Sequence, residues 1–337
     1  MSIMEQRSRR RFLQLFGSVG TAALTGGCVT LMSESLPVIF HAGSLTPPFS
    51  QLEKHVKKQI SQNLLREPSG SVIATRKITA SPHKPASVLG VADFRLLRDM
   101  LLPEYGTWYA LFATNAMTIH YTESSPGSSA LTRDNWWEIL QQDNITIGYS
   151  DPARDPAGYR AEMVLELGTI PFRGTQLYEN DIYEALKQNT TVTAGDEIHL
   201  ISQLKSGKID YAINYRSLAR TANIEYLSLQ PQVNLAKFTE QYATHYHRAS
   251  VQTSSGTYRG APIAYGVTIP TTRRFPRIGQ QFIKALLSST GTDILQSHGF
   301  RPITPAIGTS IQSDGIPQSI TPLIKNRQTF GPLSLRP

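Results

Sequence analysis

The chain has 337 residues, 40% of them hydrophobic and 17% charged, with a mean hydropathy of −0.23. At roughly 150 residues per domain this length fits about two domains with substantial cores, and so low a charge content excludes a charge-driven disordered chain and a coiled coil. Nothing approaches the ~18 uninterrupted apolar residues of a membrane span, which leads to the expectation of a soluble body.

Of the net charge of +8, +3 sits in the first 28 residues, where Arg7, Arg9, Arg10 and Arg11 face only Glu5; +5 remains for the rest. That remainder is spread without a Lys/Arg block or an aromatic-basic stripe, which argues against a nucleic-acid partner and suits small anionic ligands. Cysteine occurs once, at Cys28, so an intrachain disulfide and a cysteine metal cluster are both excluded.

The chain opens with Ser8-Arg9-Arg10-Arg11-Phe12-Leu13, followed by a mild apolar run from Leu15 to Leu24. This segment resembles a twin-arginine export signal. Thr25-Gly26-Gly27-Cys28 then resembles a bacterial lipoprotein cleavage site, with Leu24 one position further from the cysteine than that pattern prefers. Residues 1–28 are therefore expected to be a removed signal, with a lipid anchor at Cys28 and cleavage without lipidation as the two outcomes. The plainer alternative is a basic tail and a buried core cysteine.

From Leu36 onward short apolar runs alternate with amphipathic helical periods, the pattern of an α/β protein. Leu36–Phe40 reads as a strand running through His41-Ala42-Gly43-Ser44 into a helix opened by Pro47-Pro48, with Phe49, Leu52, Val56 and Ile60 on one face. Pro68-Ser69-Gly70-Ser71 repeats that arrangement ahead of a helix through Val72, Ile73 and Arg76. Strands are expected at Ser87–Val91, Trp108–Ala113, Met117–Thr122 and Ile145–Tyr149. Asp155-Pro156 starts a helix carrying Tyr159, Met163 and Leu167, as an N-cap with proline in the first turn should. Asp196-Glu197 introduces another, with Ile198, Ile201 and Leu204 inward and Gly207 as its stop. Ile209–Tyr215 and Ile263–Ile269 read as strands and Ile278–Leu287 as a helix. Thr244–Gly260 is polar and aperiodic and reads as a loop, within which His245 and His247 are taken as solvated surface rather than a metal pair. The last thirty residues read as an irregular tail. No internal repeat is evident.

No G-x-S-x-G, G-x-G-x-x-G or G-x-x-x-x-G-K-[ST] string occurs, so the local signatures of α/β hydrolases, dinucleotide enzymes and P-loop NTPases are missing. The two Gly-Ser turns place hydroxyls and backbone N–H groups at helix N-termini, where the macrodipole favours anions, although each serine alone also reads as a routine cap.

Several strings appear in the order of one family: His41-Ala42-Gly43-Ser44-Leu45, Gly70-Ser71 with Arg76-Lys77, Ala92-Asp93-Phe94, Pro103-Glu104-Tyr105, Asp155-Pro156-Ala157-Gly158-Tyr159-Arg160, Ser206-Gly207 with Asp210-Tyr211, and Tyr265-Gly266-Val267-Thr268-Ile269-Pro270. Over nearly the whole chain after the signal, the sequence resembles the molybdate/tungstate-binding proteins common in archaea, solute receptors of ABC importers. The resemblance implies a two-lobed periplasmic-binding-protein type II fold with two chain crossovers and a central ligand cleft. Lobe one is expected at 36–114 plus 246–337 and lobe two at 115–245, with hinges at Ala113-Thr114-Asn115 and near Thr244.

It also implies site residues. Gly43 permits close backbone approach, Ser44, Ser71 and Tyr215 contact the oxyanion, and Asp155 supplies a carboxylate to its metal centre. The segment between Leu167 and Glu197 is shorter than in the archaeal members, so the second carboxylate position falls at Glu197 or His199; Glu197 is taken as the only glutamate in that turn. Mo(VI) and W(VI) can add oxygen ligands beyond four oxo groups, whereas sulfur in sulfate cannot, so paired carboxylates would select the metal oxyanions. The resemblance further implies partners in an ABC permease and its ATPase, a monomeric, non-enzymatic receptor without a resident cofactor, and a location in the periplasm or on the outer face of the cytoplasmic membrane. The alternatives are a receptor for sulfate, thiosulfate or phosphate on the same fold and, more remotely, an exported serine hydrolase using Ser44 or Ser71 with His41.

Overall fold

The computed structural model describes residues 36–60, 62–193 and 197–336. The arginine string and Cys28 lie outside the described residues. From Leu36 onward the chain forms one compact unit built on two separate sheets flanked by helices.

Strand β1 (Val38–His41) feeds helix α1 (Thr46–Val56), whose apolar residues Phe49, Leu52 and Val56 are buried and whose prolines sit in the first turn, where no N–H is needed. The chain continues through β2 (Leu65–Pro68), α2 (Ser71–Thr79), β3 (Val88–Val91) and β4 (Trp108–Thr114). Both β2 and β3 pair with β1 in parallel, so the ends of these strands and the starts of their helices gather at one edge.

Only Asn115-Ala116 separates β4 from β5 (Met117–Tyr121), and there the chain passes to the second sheet. That sheet is built from α3 (Trp136–Leu140), β6 (Ile147–Ser150), α4 (Pro156–Thr169), α5 (Asn180–Gln188), β7 (Thr190–Thr193), α6 (His199–Lys205), β8 (Tyr211–Tyr215), α7 (Arg216–Ala222) and β9 (Glu225–Ser228). Its order is β7-β6-β8-β5-β9, with β6 parallel to both β7 and β8. Helix α8 (Glu240–Tyr246) and the hairpin of β10 (Ser250–Thr253) and β11 (Gly256–Arg259) then precede β12 (Ala264–Thr268), which returns to the first sheet between β3 and β4. Helices α9 (Pro276–Leu287) and α10 (Ser289–Ser297) lead to β13 (Arg301–Ser310), β14 (Ile324–Asn326) and a small hairpin of β15 (Thr329–Phe330) and β16 (Leu333–Ser334). The first sheet therefore runs β14-β13-β4-β12-β3-β1-β2.

Three expectations need correction. Residues 244–260 are not a loop: Thr244, His245 and Tyr246 lie within α8, and residues 250–259 form a hairpin. Its alternation is carried by the single buried Val251, and Gly256, at φ +136°, closes the turn in a backbone region closed to other side chains. His245 is accordingly buried against Phe172 rather than solvated. The last thirty residues are not irregular throughout, since β13 ends and β14 to β16 lie there, with Leu333 and Leu335 buried. Helix α6 begins two residues after Glu197 and turns Leu200 and Leu204 inward, leaving Ile198 and Ile201 only half-buried. Among the described residues no helix is long and apolar enough to cross a membrane.

Candidate functional site

On the first sheet's side, β1 ends at His41 and a single tight turn, Gly43–Leu45, joins it to α1. Ser44 lies in this turn and is 2% exposed. Its N–H donates to Glu197 Oε1 at 2.6 Å, and its Oγ lies 3.1 Å from the Tyr265 hydroxyl of β12. At the end of β2, Gly70 stands at the N-cap of α2 and Ser71 is its first residue. Ser71 Oγ accepts from the Ala92 N–H at 2.9 Å, just beyond β3. Neither serine hydroxyl caps its own helix, so the routine-cap explanation does not describe them.

From the second sheet's side, Asp155 follows β6 and caps α4, its Oδ1 accepting from the Ala157 N–H at 3.1 Å. This turn packs so closely on α2 that a Cβ on Gly70 would lie 2.3 Å from the Arg154 carbonyl oxygen and 3.0 Å from Asp155 Cβ. Glu197 sits in the connection from β7 to α6 and is fully buried, its carbonyl held by Asn214 Nδ2 at 3.1 Å. Tyr215 ends β8, and its hydroxyl accepts from Arg160 of α4 at 2.6 Å. The rings of Tyr215 and Tyr265 meet edge to face at 5.9 Å; the Asp155 charge bears on the first hydroxyl and the Glu197 charge on the second. Burial comes first in keeping both tyrosines protonated, pushing each well above its ordinary range.

The structure thus brings Ser44, Ser71, Asp155, Glu197 and Tyr215 into one buried region between the two sheets, with Gly43 buried in the same turn as Ser44. His199, by contrast, is exposed at the start of α6. His41 is buried with its ring against Phe49 and Nδ1 2.8 Å from the Ala42 carbonyl; burial, helped by the Arg66 and Lys77 charges, lowers its pKa to about 4.

Hydrogen-bond polarity follows from the donor-only partners. Ser71 Oγ accepts from a backbone N–H and Tyr215 from a guanidinium, so each keeps its own proton to give. The Asn115 carboxamide oxygen accepts from the Ala116 and Ser217 N–H groups, which orients its Nδ2 to donate to Tyr265 at 3.3 Å. Tyr265 and Ser44 share one further hydrogen bond in which either hydroxyl can be the donor, so one proton of the pair is left to give. Three hydroxyl donors beside two carboxylates suit a fully deprotonated oxyanion whose centre can accept carboxylate oxygens.

Sequence reasoning assigned no role to Tyr265, Asp93 or Arg160, although all three fall within the strings quoted above, and took Asn115 as a hinge residue only. Asp93 is buried; burial alone would raise its carboxyl, but Arg95 and Arg160, with hydrogen bonds from Arg95 and Tyr159, hold it well below the usual carboxylate range. The available signal was an arginine at the fifth position after a capping aspartate, on a helix whose other residues, Glu162 and Glu166 apart, are mostly apolar or small.

The family profile described as bacterial extracellular solute-binding protein matches residues 37–301. A molybdate/tungstate-binding protein of Pyrococcus abyssi is 33% identical over 317 residues, covering 86% of this chain and 90% of the relative. Its counterpart in Thermococcus kodakarensis is 31% identical, covering 91% and 94%. Among solved structures, the Azotobacter vinelandii periplasmic molybdate-binding protein superposes with a TM-score of 0.55 at 15% identity, covering 78% of this chain and 98% of that one. The sulfate-binding protein SubI of Mycobacterium tuberculosis gives 0.55 at 12% identity, covering 80% and 86%. At these identities the two structures speak for the two-lobed fold and not for a ligand.

Proposed function

The chain belongs to the bacterial extracellular solute-binding protein family, and on that premise we propose that it is an exported receptor that captures molybdate or tungstate between its two lobes for an ABC importer. The observation that carries this reading is the meeting of Glu197, from one sheet's side, with the Ser44 amide, from the other's, at 2.6 Å in a fully buried site. A carboxylate there repels a plain oxyanion such as sulfate, and desolvation strengthens the repulsion. A Mo or W centre reverses the sign, because Asp155 and Glu197 can ligate the metal while Ser44, Ser71 and Tyr215 donate to its oxo groups. Among the described residues no group of three or more His, Cys, Asp or Glu side chains gathers to hold a free metal ion, and this reading needs none, since the cargo brings its own four oxygens.

The lobes correspond to the two sheets, joined at Asn115-Ala116 and by the return from β9 to β12. Export by the twin-arginine route, removal of the segment before Cys28 with or without lipidation there, a monomeric chain without a cofactor, and docking on an ABC permease with its ATPase complete the reading. A hydrolase is disfavoured because Ser44 Oγ is bonded to Tyr265, Ser71 Oγ to the Ala92 N–H, and His41 to its own neighbour's carbonyl. The deciding experiment is a thermal-shift panel on the chain after Cys28 with molybdate, tungstate, sulfate and phosphate. A true ligand at ~100 times its Kd raises stability by ~2.7 kcal/mol. Equal shifts for sulfate and molybdate would replace this reading with the sulfate one.

A further inference from the structure

Arg160 is 1% exposed on α4, and its contacts join the two sheets. One terminal nitrogen, Nη1, donates to the Ala92 carbonyl at 2.9 Å and to the Tyr215 hydroxyl at 2.6 Å. The other, Nη2, lies 3.1 Å from Asp93 Oδ2, which also accepts from Tyr159 at 2.7 Å. Ala92 and Asp93 follow β3 on the first sheet's side, whereas Tyr159 and Arg160 lie on α4 and Tyr215 on β8, on the second. Asp93 is gripped from its own side by Arg95, whose Nη2 is 2.6 Å from Oδ2. Asp93 with two guanidiniums leaves one net positive charge, set where a dianion and two carboxylates would need it.

We propose that Arg160 is a positioning residue that couples closure of the lobes to the aim of the Tyr215 hydroxyl; this rests on the oxyanion-receptor reading. A guanidinium has no lone pair, so Tyr215 can only accept from it and must point its own proton elsewhere, toward the ligand. The fork is held in that orientation by Asp93 and the Ala92 carbonyl, both of which belong to the opposite lobe. When the lobes part, these partners leave, the guanidinium is hydrated and rotates, and Tyr215 loses its enforced direction. Ala92 serves both sides, its N–H donating to Ser71 within its own lobe and its carbonyl accepting from Arg160 across the cleft, so closure aligns Tyr215 with a Ser71 hydroxyl already set.

The test uses the full chain after Cys28, titrated with sodium molybdate by calorimetry, with Arg160→Lys, Tyr215→Phe, the double variant and Asp93→Asn. Arg160→Lys keeps the charge and removes the fork; it and Tyr215→Phe should each weaken binding about tenfold, and the double variant should be no weaker than either, the mark of one shared interaction. Additive losses would overturn the action through Tyr215. Lowered ligand-free stability with unchanged affinity would reduce Arg160 to a structural ion pair. Small-angle scattering without ligand gives a readout that does not depend on which anion binds: Arg160→Lys and Asp93→Asn should raise the radius of gyration, and profiles identical to the parent overturn the closure role. Failure of the parent chain to bind molybdate refutes the receptor reading instead, and scattering still decides the latch. Should Arg160→Lys not fold, Tyr159→Phe, which keeps the 4.2 Å stack on Tyr258 and removes only the bond to Asp93, should give the same scattering shift.

Discussion

Gly70→Ala separates lobe closure from folding. The glycine has φ −53° and ψ 140°, a conformation open to every residue, so its own backbone does not demand glycine. The demand comes from the opposite lobe. A methyl group would lie 2.3 Å from the Arg154 carbonyl oxygen and 2.8 Å from its carbon, both backbone atoms, against an ordinary limit of 3.4 Å. Closing with alanine in place therefore requires the two turns to move apart by about 1 Å. Overpacking of this kind costs about 1–3 kcal/mol, which should weaken molybdate binding by ~5-fold to ~150-fold. Without ligand the lobes part whenever the latch opens; the methyl then meets nothing from the far lobe, and the stiffer unfolded state should raise the stability of that open form by ~0.4–1 kcal/mol. Calorimetry with molybdate and urea unfolding without it read the two effects separately. Unchanged affinity would refute the close approach, and a ligand-free stability loss as large as the affinity loss would mean that the two sheets never part.

Asp155→Asn keeps an N-cap acceptor, so ligand-free stability should stay within about 0.5 kcal/mol while molybdate affinity falls sharply and sulfate affinity does not; parallel titrations decide, and unchanged molybdate affinity leaves Asp155 as only a cap. Glu197→Gln should likewise abolish the preference for molybdate over sulfate, whereas His199→Ala, at an exposed position, should leave it intact. Stability should fall as pH drops from 6.5 toward 4. His41 and His120 are buried with pKa values lowered to about 4, first by desolvation, so the unfolded chain takes up protons in that window and each histidine costs about 3 kcal/mol by pH 4. Asp93, whose pKa is depressed, keeps its contribution above the ordinary carboxylate range and loses it only below, so urea midpoints equal at pH 7.5 and pH 4.5 would contradict the buried neutral histidines. Replacing Arg9 and Arg10 by Lys should leave the precursor inside the cell, and normal export would refute the twin-arginine route.

The candidate site was legible where a proposed ligand-binding residue follows a strand and opens a turn. Ser44, Ser71 and Asp155 sit at such junctions, and turn chemistry is written in Gly, Ser, Asp and Pro. Arg160 was not, because periodicity tells a buried face from a wet one, and α4 is buried on nearly all sides, with Arg160 satisfied in part by the Ala92 carbonyl of the other lobe. Ten-residue β13 was hidden by Pro302 and Pro305, which interrupt its pairing with β4; the register shifts between Pro302 and Ile307. The β10–β11 hairpin was hidden for a different reason. It is held less by an apolar face of its own than by Tyr258 stacking on Tyr159 and by Ser255 bonding to the Ala153 carbonyl, contacts that no local pattern announces.

Asn115 is one of the two residues that join β4 to β5 at the first crossing between the sheets, and its side chain reaches Ser217 at 2.8 Å on one side and, through Tyr265, Ser44 on the other. This crossing is thus also the first link in the hydrogen-bonded chain that ends at the Ser44 hydroxyl, so on the receptor reading bending and recognition share one amide. Selection for a wider opening and selection for a different anion would press on the same side chain. A receptor of this kind changes cargo more readily through Asp155, placed by its cap on α4, than through the residues that set its angle.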